Sequence, residues 1–164
     1  MIGSILGDIA GSVYEFHNIK TKGSFLLTPQ KGYTDDSILT LATADWLLHG
    51  GDCATYYFRY ATRYPCPLGG FGGRFREWLR QGQQTGQLRP YGSCGNGSAM
   101  RVGPWDGIPH GGRDAEGCTH IGCLHTQSSR RNQGAQATAL CIFLGPGMGR
   151  SKEEHKKYRR NEVR

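Results

Sequence analysis

Apolar residues recur at helical spacing along most of the first hundred positions. Ile2, Ile5, Leu6, Ile9 and Val13 fall on one side of a 3.6-residue period and predict a helix over 2–16. Gly3, Gly7 and Gly11 interleave every fourth residue and leave a bare face open to close approach. The clearest helix opens at "TDDS" and runs through Ile38, Leu39, Leu41, Ala42, Leu47 and Leu48 to a stop at Gly50-Gly51. Asp52 is placed to cap a third helix, "ATYYFRYATRY", which must end before Pro65. "GGRFREWLRQG" predicts a fourth, with Phe75, Trp78 and Leu79 on one face. After a loop and the stretch "AMRVGP", "GAQATALCIFL" is helical again, and Ser151 with Glu154 forms a capping box for a last helix. No alternating strand pattern occurs, so the expected fold class is all-α, a single domain over 1–164. Residues 105–133 show no period at all.

Composition changes this picture little until charge is located. The chain has 164 residues, 26 of them Gly, with 37% hydrophobic residues and a net charge of +7; its mean hydropathy is −0.54. The last fifteen residues, "RSKEEHKKYRRNEVR", hold seven Lys/Arg and three Glu, leaving only +3 for the first 149. A basic tail is not the basic face that a nucleic-acid binder spreads through its fold, which argues against that class. The amino terminus has no basic start, and Asp8 interrupts its apolar run, so no signal peptide is expected. No apolar stretch has the length of a membrane span. The expectation is a cytoplasmic protein whose six cysteines stay reduced.

Three short clusters carry the chemistry. Asp8, Gly11 and Glu15 lie at i, i+3 and i+7, so both carboxylates project from one side of the first helix. Thr34-Asp35-Asp36-Ser37 sets two carboxylates and two hydroxyls at a helix start. One reading is a helix cap, in which Asp and Thr accept from open N–H groups. The other is a hard-cation site, because a cap needs one carboxylate and two adjacent ones repel unless a cation lies near them. "GSCGNGSAMR", residues 92–101, is a glycine-rich turn feeding a short helix; it suits either an ordinary tight turn or an anion cradle.

Taken together and in order, "GDIAGSVYE" (7–15), "TDDS" (34–37) and "GNGSAMR" (95–101) resemble the ADP-ribosylglycohydrolase family. The resemblance runs from Met1 to about Pro104 and resumes at "GAQATALCIFL". It implies a helical bundle and a hydrolase that removes ADP-ribose from a modified protein or small molecule, with two Mg2+ ions at its centre. By that resemblance Thr34, Asp35 and Asp36 are metal ligands, and Glu15 and Asp36 are catalytic, Glu15 acting on water near the scissile bond. Asp8, Gly95, Asn96, Gly97, Ser98 and Met100 would bind substrate. The family's second acidic motif, Asp-x-Asp followed by Ser or Thr, has no counterpart in the last fifteen residues, which contain no Asp. The expectation is therefore an incomplete bundle lacking half its metal site, active poorly or not at all. An ADP-ribose-binding fragment without hydrolysis is the first alternative.

"CTHIGCLHTQSSRRNQ", residues 118–133, offers the second. Cys118, His120, Cys123 and His125 are zinc-type ligands, and with the arginines they would suit a zinc-dependent nucleic-acid binder. The family, however, has a "THNHPEG"-like stretch just before its "GAQAT" helix. "HTQSSRRNQG" can be encoded as CAC ACA CAA TCA TCC CGA AGG AAT CAA GGG, which one base later reads THNHPEGIK. The same offset turns "GGRDAEGCTHIGCL" into an amphipathic helical stretch, and it also fits "YRRNEVR" at the tail. Residues 105–133, and those from about Arg159 onward, are therefore expected to be out-of-frame sequence, with the Cys/His cluster its by-product.

Overall fold

A computed structural model describes residues 1–21, 23, 26–92, 97–104, 134–135, 137–139 and 141–142. Every regular element among them is helical: α1 (Ile2–Gly11), a 3-10 turn (Ser12–Tyr14), α2 (Asp35–His49), α3 (Cys53–Arg63), α4 (Gly73–Thr85) and the short α5 (Gly97–Met100). The described residues of 134–142 are helical as well. The unperiodic interval 105–133, its Cys/His cluster, and the helix expected at Ser151 lie outside the described residues.

Helix α2 is central and touches α1, α3 and α5. Its first half is buried nearly all round, from Ser37 to Thr40 and again at Ala42 and Thr43, which a helix tolerates when neighbours cover every side. Buried hydroxyls there find partners: Thr43 Oγ1 donates to Leu39 O at 2.8 Å and pairs with the Tyr57 hydroxyl at 2.9 Å. Tyr57 is fully buried on α3, and Phe71, Phe75 and Trp78 close the core from the α4 side. Trp78 Nε1 donates to Arg89 O at 2.9 Å, holding the chain that returns from α4 against the helix. A smaller cluster of Val102, Ala135 and Ala139 packs under Trp46 and Leu47.

The ends follow local chemistry. Thr34 caps α2, and Gly50 stops it with φ +71°. Asp52 caps α3 by accepting from the Ala54 and Thr55 amides. Helix α4 runs three residues past Gly82 before Gly86 ends it in the left-handed region, because Gly82 is held inside by Phe58 and Leu88, whose atoms lie within 3 Å of where a Cβ would stand.

Helix α1 differs from its expected form in two ways. It ends at Gly11 rather than near 16, and the chain tightens to 3-10. Ser12 Oγ donates back to Ile9 O at 2.9 Å and accepts from the Gly32 amide at 3.3 Å, diverting the backbone at that point. Its apolar face is also only partly covered: Ile5, Ile9 and Val13 are half-buried, but Ile2 is 72% and Leu6 52% exposed. Polar contacts, described next, fasten α1 to α2.

Candidate active site

Asp8 joins the two helices. Its carboxylate accepts from the Thr34 amide (2.9 Å), the Thr34 hydroxyl (2.6 Å) and the Ser37 hydroxyl (2.6 Å). The Thr34 hydroxyl in turn accepts from the Asp36 amide at 3.2 Å. Thr34, not Asp35 or Asp36, is therefore the N-cap of α2. Lys31 reinforces the junction by donating to Ala10 O at 2.8 Å while lying over the Tyr14 ring.

That arrangement leaves the cap to Thr34; the Asp35 carboxylate still accepts from its own backbone amide, yet neither carboxyl has the lowered proton affinity of a cap. A carboxylate serving a helix N-terminus is stabilised in its charged form and titrates low. Burial and the neighbouring Asp35 instead push the Asp36 carboxyl up to about 7, with Asp8 and Glu15 adding to the rise and Arg101 opposing it. Asp35 is raised too, by burial first, against Arg101, with Glu15 and Asp8 contributing upward. Four carboxylates from α1, the turn after it and α2 thus share one electrostatic site. Glu15 sits at its exposed rim beside Gly69, where a Cβ would come within 3.2 Å of Glu15 Oε2.

Arg101 is the residue that sequence reasoning passed over. It is 6% exposed, just beyond α5, with Nε and Nη1 buried and lacking hydrogen-bond partners among the described residues. Its guanidinium lies 5.4 Å from the Tyr57 ring centroid and 5.8 Å from that of Phe75. An unpaired buried cation is costly, and here the aromatic faces and the field of Asp35 and Asp36 offset it. The available signal was a lone Arg in the otherwise uncharged stretch 97–105.

The other predicted residues are distributed less uniformly. Gly97 and Ser98 lie on α5, where a Cβ on Gly97 would strike the Arg101 guanidinium. Ser98 is 2% exposed, its hydroxyl buried without a partner among the described residues, whereas Met100 is exposed. Gly95 and Asn96 lie outside the described residues.

A family model for ADP-ribosylglycohydrolase matches residues 1–151. The chain belongs to the ADP-ribosylglycohydrolase family. No curated protein and no solved structure matches it. Membership makes the chain a hydrolase at the family level, on the all-helical fold seen here. The two Mg2+ ions that the resemblance implies can be set against the donors present. Asp35, Asp36 and Thr34 offer only hard oxygens, and burial first, then neighbouring carboxylates, disfavour charges that a cation would neutralise, so their chemistry fits Mg2+. They fit as one side of a shell: among the described residues, no three His, Cys, Asp or Glu side chains gather closely enough to hold an ion alone.

Proposed function

We propose that the acidic start of α2 is the cation-binding half of a magnesium-dependent site that cleaves the glycosidic bond between ADP-ribose and its acceptor, a modified protein or small molecule. The observation carrying this reading is that Thr34, held by Asp8, already fills the cap of α2 while Asp35 and Asp36 stand side by side, half-buried, in its first turn. Asp35 and Asp36, with the Thr34 hydroxyl, would hold the ion. When bound, Mg2+ supplies a common template for ribose hydroxyls and water.

The chain's own groups contribute the rest. Bond cleavage at an anomeric carbon develops positive charge on the ribose. The combined field of Asp8, Glu15, Asp35 and Asp36 favours such charge at this point of the surface. Glu15, exposed at the rim, would orient a water or take its proton. Arg101, itself buried, balances part of the negative charge and opposes the rise in both Asp carboxyls without cancelling it.

One observation favours a weaker activity. Two carboxylates and a hydroxyl hold Mg2+ loosely, because that ion gives up its waters reluctantly, and no third carboxylate completes the set among the described residues. The 164-residue chain should therefore bind ADP-ribose more readily than it releases it from a conjugate. The test is release of ADP-ribose from ADP-ribosylated protein, followed chromatographically with Mg2+ or EDTA. Slow release at most, dependent on Mg2+ and lost in Asp35→Ala and Asp36→Ala, supports the proposal. Fast turnover indifferent to EDTA and to both substitutions overturns it.

A further inference from the structure

The hydrogen bonds around Asp8 determine more than the position of α1. A hydroxyl has one proton to give and two lone pairs to receive with. A carboxylate can only accept, so the Thr34 hydroxyl, 2.6 Å from Asp8 Oδ1, must spend its proton there. One of its lone pairs takes the Asp36 amide proton at 3.2 Å. The second lone pair meets no donor among the described residues. We propose that Asp8 is a positioning residue: by taking the proton of the Thr34 hydroxyl, it makes that oxygen an acceptor toward a divalent cation. The inference rests on the cation reading above, and it moves Asp8 from binding substrate to acting through Thr34.

The geometry explains why an acid, and not its amide, stands at position 8. Asp8 Oδ2 receives the Thr34 amide at 2.9 Å and the Ser37 hydroxyl at 2.6 Å. The amide N–H cannot reverse its polarity. In Asp8→Asn the carbonyl oxygen must therefore occupy the Oδ2 place, which puts the new NH2 against Thr34 Oγ1. The Thr34 hydroxyl then receives two protons and has to turn its own outward, toward the place a cation would take. The number of hydrogen bonds is conserved while the polarity of one oxygen is inverted.

The experiment titrates the 164-residue protein with Mn2+, reading unbound Mn2+ by electron paramagnetic resonance, for wild type, Asp8→Asn, Thr34→Val, the double variant and Ser37→Ala. Asp8→Asn should weaken Mn2+ binding about tenfold or more, the usual size of a lost orienting contact, with little change in melting temperature. In the Thr34→Val background, which has no hydroxyl to orient, Asp8→Asn should cause no further loss. Ser37→Ala removes a donor to Asp8 that does not touch Thr34, and should leave affinity within about twofold. Should Asp8→Asn not fold, Thr34→Ser, which keeps the hydroxyl that Asp8 orients, should stay within about twofold of wild type while Thr34→Val loses affinity. An equal loss in both would overturn the proposal. Unaltered binding in Asp8→Asn, fully multiplicative losses in the double variant, or an equal loss in Ser37→Ala would each overturn the role of Asp8 alone. Absence of Mn2+ binding in wild type would overturn the cation reading and this inference with it.

Discussion

Replacing Asp36 with Asn should stabilise the metal-free protein at neutral and higher pH. In the folded chain, burial and the adjacent Asp35 raise the Asp36 carboxyl from its ordinary 3.8 to about 7. Between those values the folded protein holds a proton that the unfolded chain has released. Stability therefore falls as pH rises through that window and levels off above it. Three pH units correspond to about 4 kcal/mol at 1.36 kcal/mol each, and solvent reaching a partly exposed carboxyl reduces this to on the order of 2 kcal/mol. Asn supplies a neutral side chain of the same shape at every pH. Urea denaturation in EDTA from pH 4 to 8.5 should show wild type losing stability across the window and Asp36→Asn nearly flat, the residual slope belonging to Asp35. At pH 8 the variant should lead by about 2 kcal/mol, and added Mg2+ should stabilise wild type more than the variant. A variant less stable than wild type at pH 8 would show that Asp36 is an ordinary cap and remove one support for a cation site.

Leu39 is fully buried, and Leu39→Ala should cost about 2–5 kcal/mol in urea denaturation. Leu6→Ser, on the exposed face of α1, should stay within about 0.5 kcal/mol of wild type; the same measurement checks both. A Cβ on Gly82 would approach Leu88 Cδ2 to 2.6 Å and Phe58 Cε2 to 2.9 Å, so Gly82→Ala should destabilise by about 1–3 kcal/mol despite its better helix propensity. Gly69 has φ +78° and faces Glu15 Oε2; Gly69→Ala should lose about 1 kcal/mol of stability and displace Glu15, seen as a larger fall in ADP-ribose release than in ADP-ribose binding.

Much of the helical plan was legible in residues 34–86 because each boundary there has a local cause. Thr34, Gly50, Asp52 and the Tyr64-Pro65 pair announce starts and stops through side chains or fixed backbone angles. The end of α1 was not legible, since Ser12 acts through Gly32, twenty residues away. Nor was the exposure of Ile2 and Leu6: periodicity marks an apolar face but does not say whether a neighbour covers it. For the site, sequence spacing put Asp8 and Glu15 on one side of a helix, whereas Glu15 lies beyond α1 and its 3-10 turn and meets Asp8 through the shared field at Asp35 and Asp36. What it could not give was the direction of the Asp8 hydrogen bonds or the burial of Arg101, both of which depend on how α1 and α5 meet α2. Which residue fills the cap likewise needed three dimensions: it is Thr34, whose hydroxyl accepts from the Asp36 amide.

A divalent cation proposed to sit on Asp35 and Asp36 at the start of α2 is tested most sharply by a crystal of this chain grown with Mn2+ and measured at the manganese absorption edge. An anomalous peak is expected at direct-coordination distance from the Asp35 and Asp36 carboxylates, absent in Asp36→Ala crystals. A peak located elsewhere on the chain, or one that persists unchanged in the variant, would contradict that placement.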